Sequence, residues 1–129
     1  MVFYLDTSAA VKLVVDEPET EALARWLAGR DIVANDLLRT ELLRATRREA
    51  PDRMTRARKV LARVEILSVP TSVFERAAAL DPLILRSLDA LHLASALDLG
   101  DDLEGIVTYD DRLAAAARAH GIALHAPTT

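Results

Sequence analysis

Four carboxylates stand out by where they fall. Asp6 directly follows the apolar run Val2–Leu5, and Asp110 directly follows Ile106–Tyr109. Both runs read as short buried strands, so each acid sits at the carboxyl end of a strand and just before a helix. Either acid can cap that helix; Thr7 and Ser8 can cap instead and leave Asp6 free, and Asp111 or Thr108 can share the task at Asp110. Glu41 shares a helix face with Leu37, Leu38 and Ala45. Asp89 shares one with Leu85, Leu93 and Ala96, in a segment whose other polar residues before Asp98 are His92 and Ser95. A carboxylate on an apolar stripe needs a partner, because an isolated buried charge is costly. Arg44 or Arg48 for Glu41, and Arg86 for Asp89, are the plain structural partners. If the four converge, mutual repulsion raises their pKa values unless cations neutralise them. Oxygen ligands without cysteine and without a histidine cluster suit Mg²⁺ or Mn²⁺ rather than zinc. Such a site lowers the pKa of bound water and holds a phosphate for in-line attack.

The elements that must position these acids follow from the apolar pattern. Strands are expected at Val2–Leu5, Ile32–Ala34, Ile66–Val69, Ile106–Tyr109 and Ile122–Leu124. Helices are expected at Ser8–Val15, Glu19–Ala28, Asp36–Ala50, Asp52–Val64, Val73–Leu80, Ser87–Leu99 and Arg112–His120. Pro18 sits where the second helix would begin, Gly29, Gly100 and Gly121 act as stops, and Thr71 or Ser72 is available as a cap. Strands separated by helices imply a parallel sheet covered on both faces, an α/β fold built as a three-layer α/β/α sandwich. Ligands of such sheets bind beyond the carboxyl ends of the strands, where Asp6 and Asp110 fall.

Composition narrows the class. The 129 residues fit one domain, 1–129, with 51 % hydrophobic types and a formal charge of -4. Disorder is excluded on that balance. The absence of cysteine removes disulfides, thiolate zinc sites and cysteine nucleophiles, and is consistent with a reducing cytoplasm. No apolar run reaches the roughly 20 residues of a membrane span. Met1–Val15 lacks the basic start and cleavage pattern of a signal peptide. The tail Ala126–Thr129 reads as polar and frayed.

Charge is unevenly spread. Between Arg44 and Arg63 eight basic residues face only Glu49 and Asp52, a net of +6 that leaves -10 for the rest. A basic helical segment on an acidic body can steer a phosphate backbone; Arg53, Arg56, Arg58 and Lys59 are the positions singled out for it. A solvated helix face is the alternative. His92 reads as a hydrogen-bonded structural histidine, with a general-base role conceivable from its place three residues after Asp89. Ser8 has no obvious histidine support as a nucleophile, and four glycines make no phosphate loop. Phe3, Tyr4, Trp26, Phe74 and Tyr109 read as core or half-buried residues rather than base platforms.

In order along the chain, Tyr4-Leu5-Asp6-Thr7-Ser8-Ala9, Thr40-Glu41-Leu42-Leu43-Arg44-Ala45, Leu85 through Ala96, and Val107-Thr108-Tyr109-Asp110 with Leu113 resemble the PIN-domain ribonucleases, and more narrowly the VapC toxins of bacterial toxin–antitoxin pairs. The resemblance covers almost the whole chain. It implies a PIN-like sandwich and Mg²⁺- or Mn²⁺-dependent endonucleolytic cleavage of RNA to 5′-phosphate and 3′-hydroxyl ends. It implies that Asp6, Glu41, Asp89 and Asp110 form the acidic metal site. Thr7 and Thr108 match the supporting hydroxyls, Asn35 falls near a polar position suited to orienting a metal-bound water, and Asp111 matches a variable position. It also implies homodimers, inhibition by a VapB-type antitoxin, and DNA contact only through that antitoxin. Transfer RNA and ribosomal RNA loops are both compatible targets. Two other readings stay open: a receiver or phosphatase domain in which Asp6 or Asp110 accepts phosphate, and a catalytically silent PIN-like module that binds RNA or protein.

Overall fold

The computed structural model describes residues 1–128. Five strands, β1 (Val2–Leu5), β2 (Ile32–Asn35), β3 (Glu65–Leu67), β4 (Leu103–Val107) and β5 (Leu124–His125), form one sheet in the order β3-β2-β1-β4-β5. Every neighbouring pair is parallel. Parallel pairs need crossovers, which helices supply. α1 (Thr7–Lys12) and α2 (Thr20–Leu27) lead from β1 to β2, and α3 (Leu37–Glu49) and α4 (Met54–Arg63) from β2 to β3. α5 (Thr71–Ala78) and α6 (Ser87–Asp98) lead back to β4, and α7 (Asp111–Ala119) leads to β5.

The chain moves outward from β1 to β3 and then returns to the other side of β1. With right-handed crossovers that reversal puts α1–α4 on one face and α5–α7 on the other. The packing agrees: α1 lies against α2 and α3, α3 against α4, and α6 against α5 and α7. This is the expected three-layer sandwich. Its strand order reverses between β1 and β4, so a crevice opens at the carboxyl ends of those two strands.

Apolar runs on β1 and β2 are buried because both sheet faces are covered. Tyr4, Leu5, Val33 and Ala34 are essentially inaccessible, packed with Leu38, Leu42 and Leu93 from the two helical layers. Each such leucine contributes roughly 1.5–3 kcal/mol by leaving water. Residues Ala90–Ala96 of α6 form an unbroken buried stretch, as its apolar character requires. Phe74 departs from expectation: it is 49 % exposed on α5.

Element boundaries differ from the sequence reading in physically explicable ways. The first helix stops at Lys12, and the next residues close in tight turns such as Val14 N–H to Val11 O (3.0 Å). Pro51–Arg53 forms a 3-10 turn, delaying α4 to Met54. β4 spans Leu103–Val107 rather than Ile106–Tyr109, because its ladder is limited by β1, whose last residue Leu5 pairs with Val107. Thr108 and Tyr109 thereby project past the sheet. β3 spans Glu65–Leu67 in register with Val33–Asn35 of β2. Neither Thr71 nor Ser72 caps α5: both lie inside its first turn, after Pro70.

Gly105 on β4 is fixed by space, since a Cβ there would lie 2.8 Å from Ala123 O and 2.9 Å from the His125 ring. Within the tail Ala126–Thr129, Thr129 lies outside the described residues.

Candidate active site

Asp6 leaves β1 at its carboxyl end and caps α1. Its Oδ1 accepts from Ala9 N–H (3.0 Å) and from Ser8 Oγ (2.8 Å), and its Oδ2 accepts from Thr108 Oγ1 (2.7 Å). The expectation that Thr7 or Ser8 would cap and leave Asp6 free is therefore corrected. A carboxylate reaches the N3 amide while a neighbouring hydroxyl donates to it, which satisfies both groups. Burial pushes the Asp6 pKa up, and the bonds from Thr108, Ala9 and Ser8 pull against that shift. At 4 % exposure and with these donors engaged, Asp6 is poorly placed to accept a phosphoryl group.

Thr108 ties two strand ends together. Its hydroxyl donates to Asp6 and accepts from Asp110 N–H (3.0 Å). Ser8 Oγ adds a second tie by accepting from Tyr109 N–H (2.9 Å). Asp110 caps α7, its Oδ1 accepting from Arg112 N–H (2.8 Å) and Leu113 N–H (3.2 Å). Asp6 and Asp110 repeat one construction, an acid past the end of a strand that caps the helix after it.

Glu41 pairs with neither Arg44 nor Arg48. Its Oε1 lies 2.6 Å from His92 Nε2 and accepts from Thr7 Oγ1 at 3.0 Å. Thr7 thus donates to Glu41 rather than to Asp6. His92 is 2 % exposed, and its Nδ1 lies 2.7 Å from Tyr4 Oη.

Asp89 sits in the first turn of α6 with no hydrogen bond or ion pair among the described residues; Arg86 does not close on it. Burial raises its pKa first, then the nearby negative charge of Asp110, with a smaller push from Glu41 and an opposing pull from His92. Asp89 and Asp110 line one small cleft with Arg86 and Arg112, and Asp111 lies beside them.

All four acids thus stand at the same end of the sheet, over the β1/β4 crevice. They are not drawn into a tight cluster: among the described residues no three acidic or histidine side chains are close enough to hold a metal ion as they stand. Three of the four are committed to protein donors through one oxygen or more. The donor set itself suits a hard divalent cation, being all oxygen, with Asp89, Asp110 Oδ2 and Glu41 Oε2 left without a protein hydrogen bond among the described residues.

Asn35 does not join the site. It is fully buried, its Oδ1 accepts from Leu37 N–H (3.0 Å), and its Nδ2 donates to Ser95 Oγ (2.9 Å) and towards Leu91 O (3.4 Å). Its role is to fasten the start of α3 to α6, and it has no face open to a water in the crevice.

The basic residues also need reassigning. Arg53 is taken up by Asp16 Oδ2 (2.8 Å) and Val14 O (3.1 Å), and Arg56 approaches the same Asp16 at 3.5 Å. Arg58 is exposed on α4, and Lys59 of α4 lines a depression with Val60, with Leu13 after α1 and with Ile32 of β2, none of the four acids among them. Apart from Arg86 and Arg112 in the cleft of Asp89 and Asp110, the guanidinium groups beside an acid belong to α3, next to Glu41. Arg44 and Arg48, one turn apart, line a groove of about 630 Å³ with Glu41, Thr7, Lys12 and Tyr109. Lys12 is held by Glu19 (2.9 Å) and Glu17 (3.5 Å) and lies over the Tyr109 ring. Arg44 and Arg48 have no ion pair among the described residues. The spacing of Arg44 and Arg48 around Glu41 is the available signal in the sequence; the density of charge further along masks it.

The PIN domain profile matches residues 3–119. The chain is 44 % identical to Ribonuclease VapC46 of Mycobacterium tuberculosis over 97 % of each chain. It is 40 % identical to Ribonuclease VapC47 of the same species over 96 % of each. Among solved structures, Mycobacterium tuberculosis VapC20, a sarcin-ricin loop cleaving toxin, superposes with a TM-score of 0.71 at 17 % identity, covering 88 % of this chain and 94 % of that one. A chain of VapBC2 from Rickettsia felis, bound to a DNA fragment from its promoter, gives a TM-score of 0.74 at 17 % identity, covering 97 % and 98 %. These two structural likenesses speak to the fold.

Proposed function

Because this chain belongs to the PIN domain family, on the side of its VapC ribonucleases, we propose that it is a toxin endoribonuclease whose residues 1–129 act as one domain. What supports the reading is the placement of the acids: Asp6 and Asp110 lie just past β1 and β4, Asp89 shares a cleft with Asp110, and Glu41 lines a groove edged by Arg44 and Arg48.

Asp6, Glu41, Asp89 and Asp110 would hold Mg²⁺, or Mn²⁺ in its place. When bound, such a cation activates a water and offsets charge on the scissile phosphate. The chain's own residues do the rest. Thr108 and Ser8 fix Asp6, Thr7 fixes Glu41, and the α7 amides fix Asp110. Arg44 and Arg48 take phosphates of the flanking strand, which sets its register without reading bases. Water attacks phosphorus, the bond from phosphorus to O3′ breaks, and O3′ leaves with a proton, giving 5′-phosphate and 3′-hydroxyl ends.

The target is an RNA loop, of transfer or ribosomal RNA. Loops present splayed bases that a groove can accept. The partners are a VapB-type antitoxin, through which DNA is contacted, and a second copy of the chain. The setting is the cytoplasm. Among the described residues no helix is long and apolar enough to cross a membrane.

The test is expression with and without the neighbouring gene's product, followed by mapping of new 5′-phosphate RNA ends, with Asp89→Asn as control. New ends at a few loop sites, lost in the variant and suppressed by the neighbour, are expected. An RNA population unchanged by the wild-type protein would overturn the reading.

A further inference from the structure

His92 and Tyr4 are buried beneath the acids and carry no part of the proposed cleavage, yet His92 touches Glu41 and Tyr4 touches His92. One assignment of the hydrogens satisfies every bond between them. The backbone N–H of Asn35 must donate, so Tyr4 Oη accepts from it at 3.1 Å. The single hydrogen of the Tyr4 hydroxyl is then free for His92 Nδ1, 2.7 Å away. A neutral ring accepting at Nδ1 carries its hydrogen on Nε2. That N–H points at Glu41 Oε1, 2.6 Å away. With Thr7 Oγ1 donating to the same oxygen at 3.0 Å, Oε1 receives two donors and Oε2 receives none among the described residues. The ring also stands edge-on to Tyr4, with centroids 5.8 Å apart, so packing as well as bonding holds it.

We propose that Tyr4 and His92 form a positioning pair that locks Glu41 by one carboxylate oxygen and presents the other to the acid cluster. The inference rests on the reading of Glu41 given under Proposed function, and it assigns His92 no contact with RNA or with the reacting phosphate. A hydrogen bond to the spare oxygen of a ligating carboxylate fixes its orientation, and losing such outer support typically weakens metal binding 10- to 100-fold. Helix geometry explains why His92 suits the task. It lies three residues after Asp89, so one face of α6 delivers an acid to the crevice and, one turn deeper, the group that steadies a second acid.

Two measurements test the pair. In metal-free wild-type protein, long-range nitrogen–proton NMR of the His92 ring is expected to show the hydrogen on Nε2, and Tyr4→Phe is expected to shift that balance. A wild-type ring with its hydrogen on Nδ1 would overturn the proposal. Mn²⁺ titration then compares variants: His92→Leu is expected to weaken binding roughly 10- to 100-fold, and His92→Gln, which keeps a donor near Nε2, to recover most of it. Wild-type affinity in a folded His92→Leu, or a glutamine no better than leucine, would also overturn it. If Glu41→Ala itself leaves Mn²⁺ binding unchanged, the metal reading of Glu41 fails, and the ring tautomer in metal-free protein decides the positioning claim alone.

Discussion

Thr108 Oγ1 lies 2.7 Å from Asp6 Oδ2, so one hydroxyl past the end of β4 holds the acid at the end of β1. The same oxygen accepts from Asp110 N–H. Thr108→Ala removes a donor from a buried carboxylate and an acceptor from a backbone amide. The expected cost is about 1–3 kcal/mol, together with a loss of cleavage. Thr108→Ser should restore both. Chemical denaturation and cleavage assays on the two variants check this; an alanine variant as stable and active as wild type would show the bridge to be idle.

Asp6 carries two duties that substitution can separate. Asn keeps the cap of α1 and removes the charge, so Asp6→Asn is expected to fold and to lose cleavage. Asp6→Ala loses the cap as well and should be destabilised by a further 0.5–2 kcal/mol or so. Unfolding curves of the two variants side by side, with activity measured on each, distinguish the duties.

Burial and the charge of Asp110 hold the Asp89 pKa above its ordinary 3.8. For an acid raised in the folded state, the associated stability is fully present below 3.8 and is lost as pH rises through the folded-state value. Metal-free Asp89→Asn is therefore expected to melt above wild type at pH 7, with the gap closing as pH falls towards 3.8. Thermal melts across that range check the sign. A variant that melts below wild type at pH 7 would mark Asp89 as a structural partner instead.

Charge reversal at Arg44 and Arg48 should weaken RNA binding and flatten its salt dependence, by about 0.7 in slope for each phosphate left unneutralised on a single strand. Reversal at Arg53 and Arg56, which are engaged by Asp16, should leave that slope unchanged. Binding measured over a salt series separates the two helices.

Gly105→Ala places a Cβ 2.8 Å from a backbone carbonyl of the neighbouring β5 segment. Overpacking of this kind is expected to cost about 1–3 kcal/mol, and because β4 leads directly into Thr108, some activity should fall with it. Denaturation midpoints check the first part.

Much of the fold is legible in the residues themselves. Short apolar runs separated by amphipathic segments are enough to place all five strands and the seven helices seen among the described residues. The positions of Asp6 and Asp110 after β1 and β4 follow from the same pattern. What local pattern does not carry is register and direction. β4 ends two residues earlier than its apolar run because β1 ends there, and that is set by a partner about a hundred residues away. Side-chain pairing is hidden for the same reason. Glu41 meets His92 across 51 residues and Asp6 meets Thr108 across 102, whereas sequence proximity points Glu41 to Arg44. Asn35 looks available in the sequence because it is polar; its burial between α3 and α6 is a tertiary fact. The dense arginines of α4 mislead because their charge is visible in the sequence while their partners, such as Asp16, are not.

Mn²⁺ soaked into crystals of the wild-type protein and located by its anomalous scattering tests most directly whether four remote acids act together on a divalent cation at the end of the sheet. A manganese site ligated by at least two of Asp6, Glu41, Asp89 and Asp110, and lost in Asp89→Asn, is the predicted result. Manganese bound elsewhere on the molecule, with that crevice empty, would contradict it.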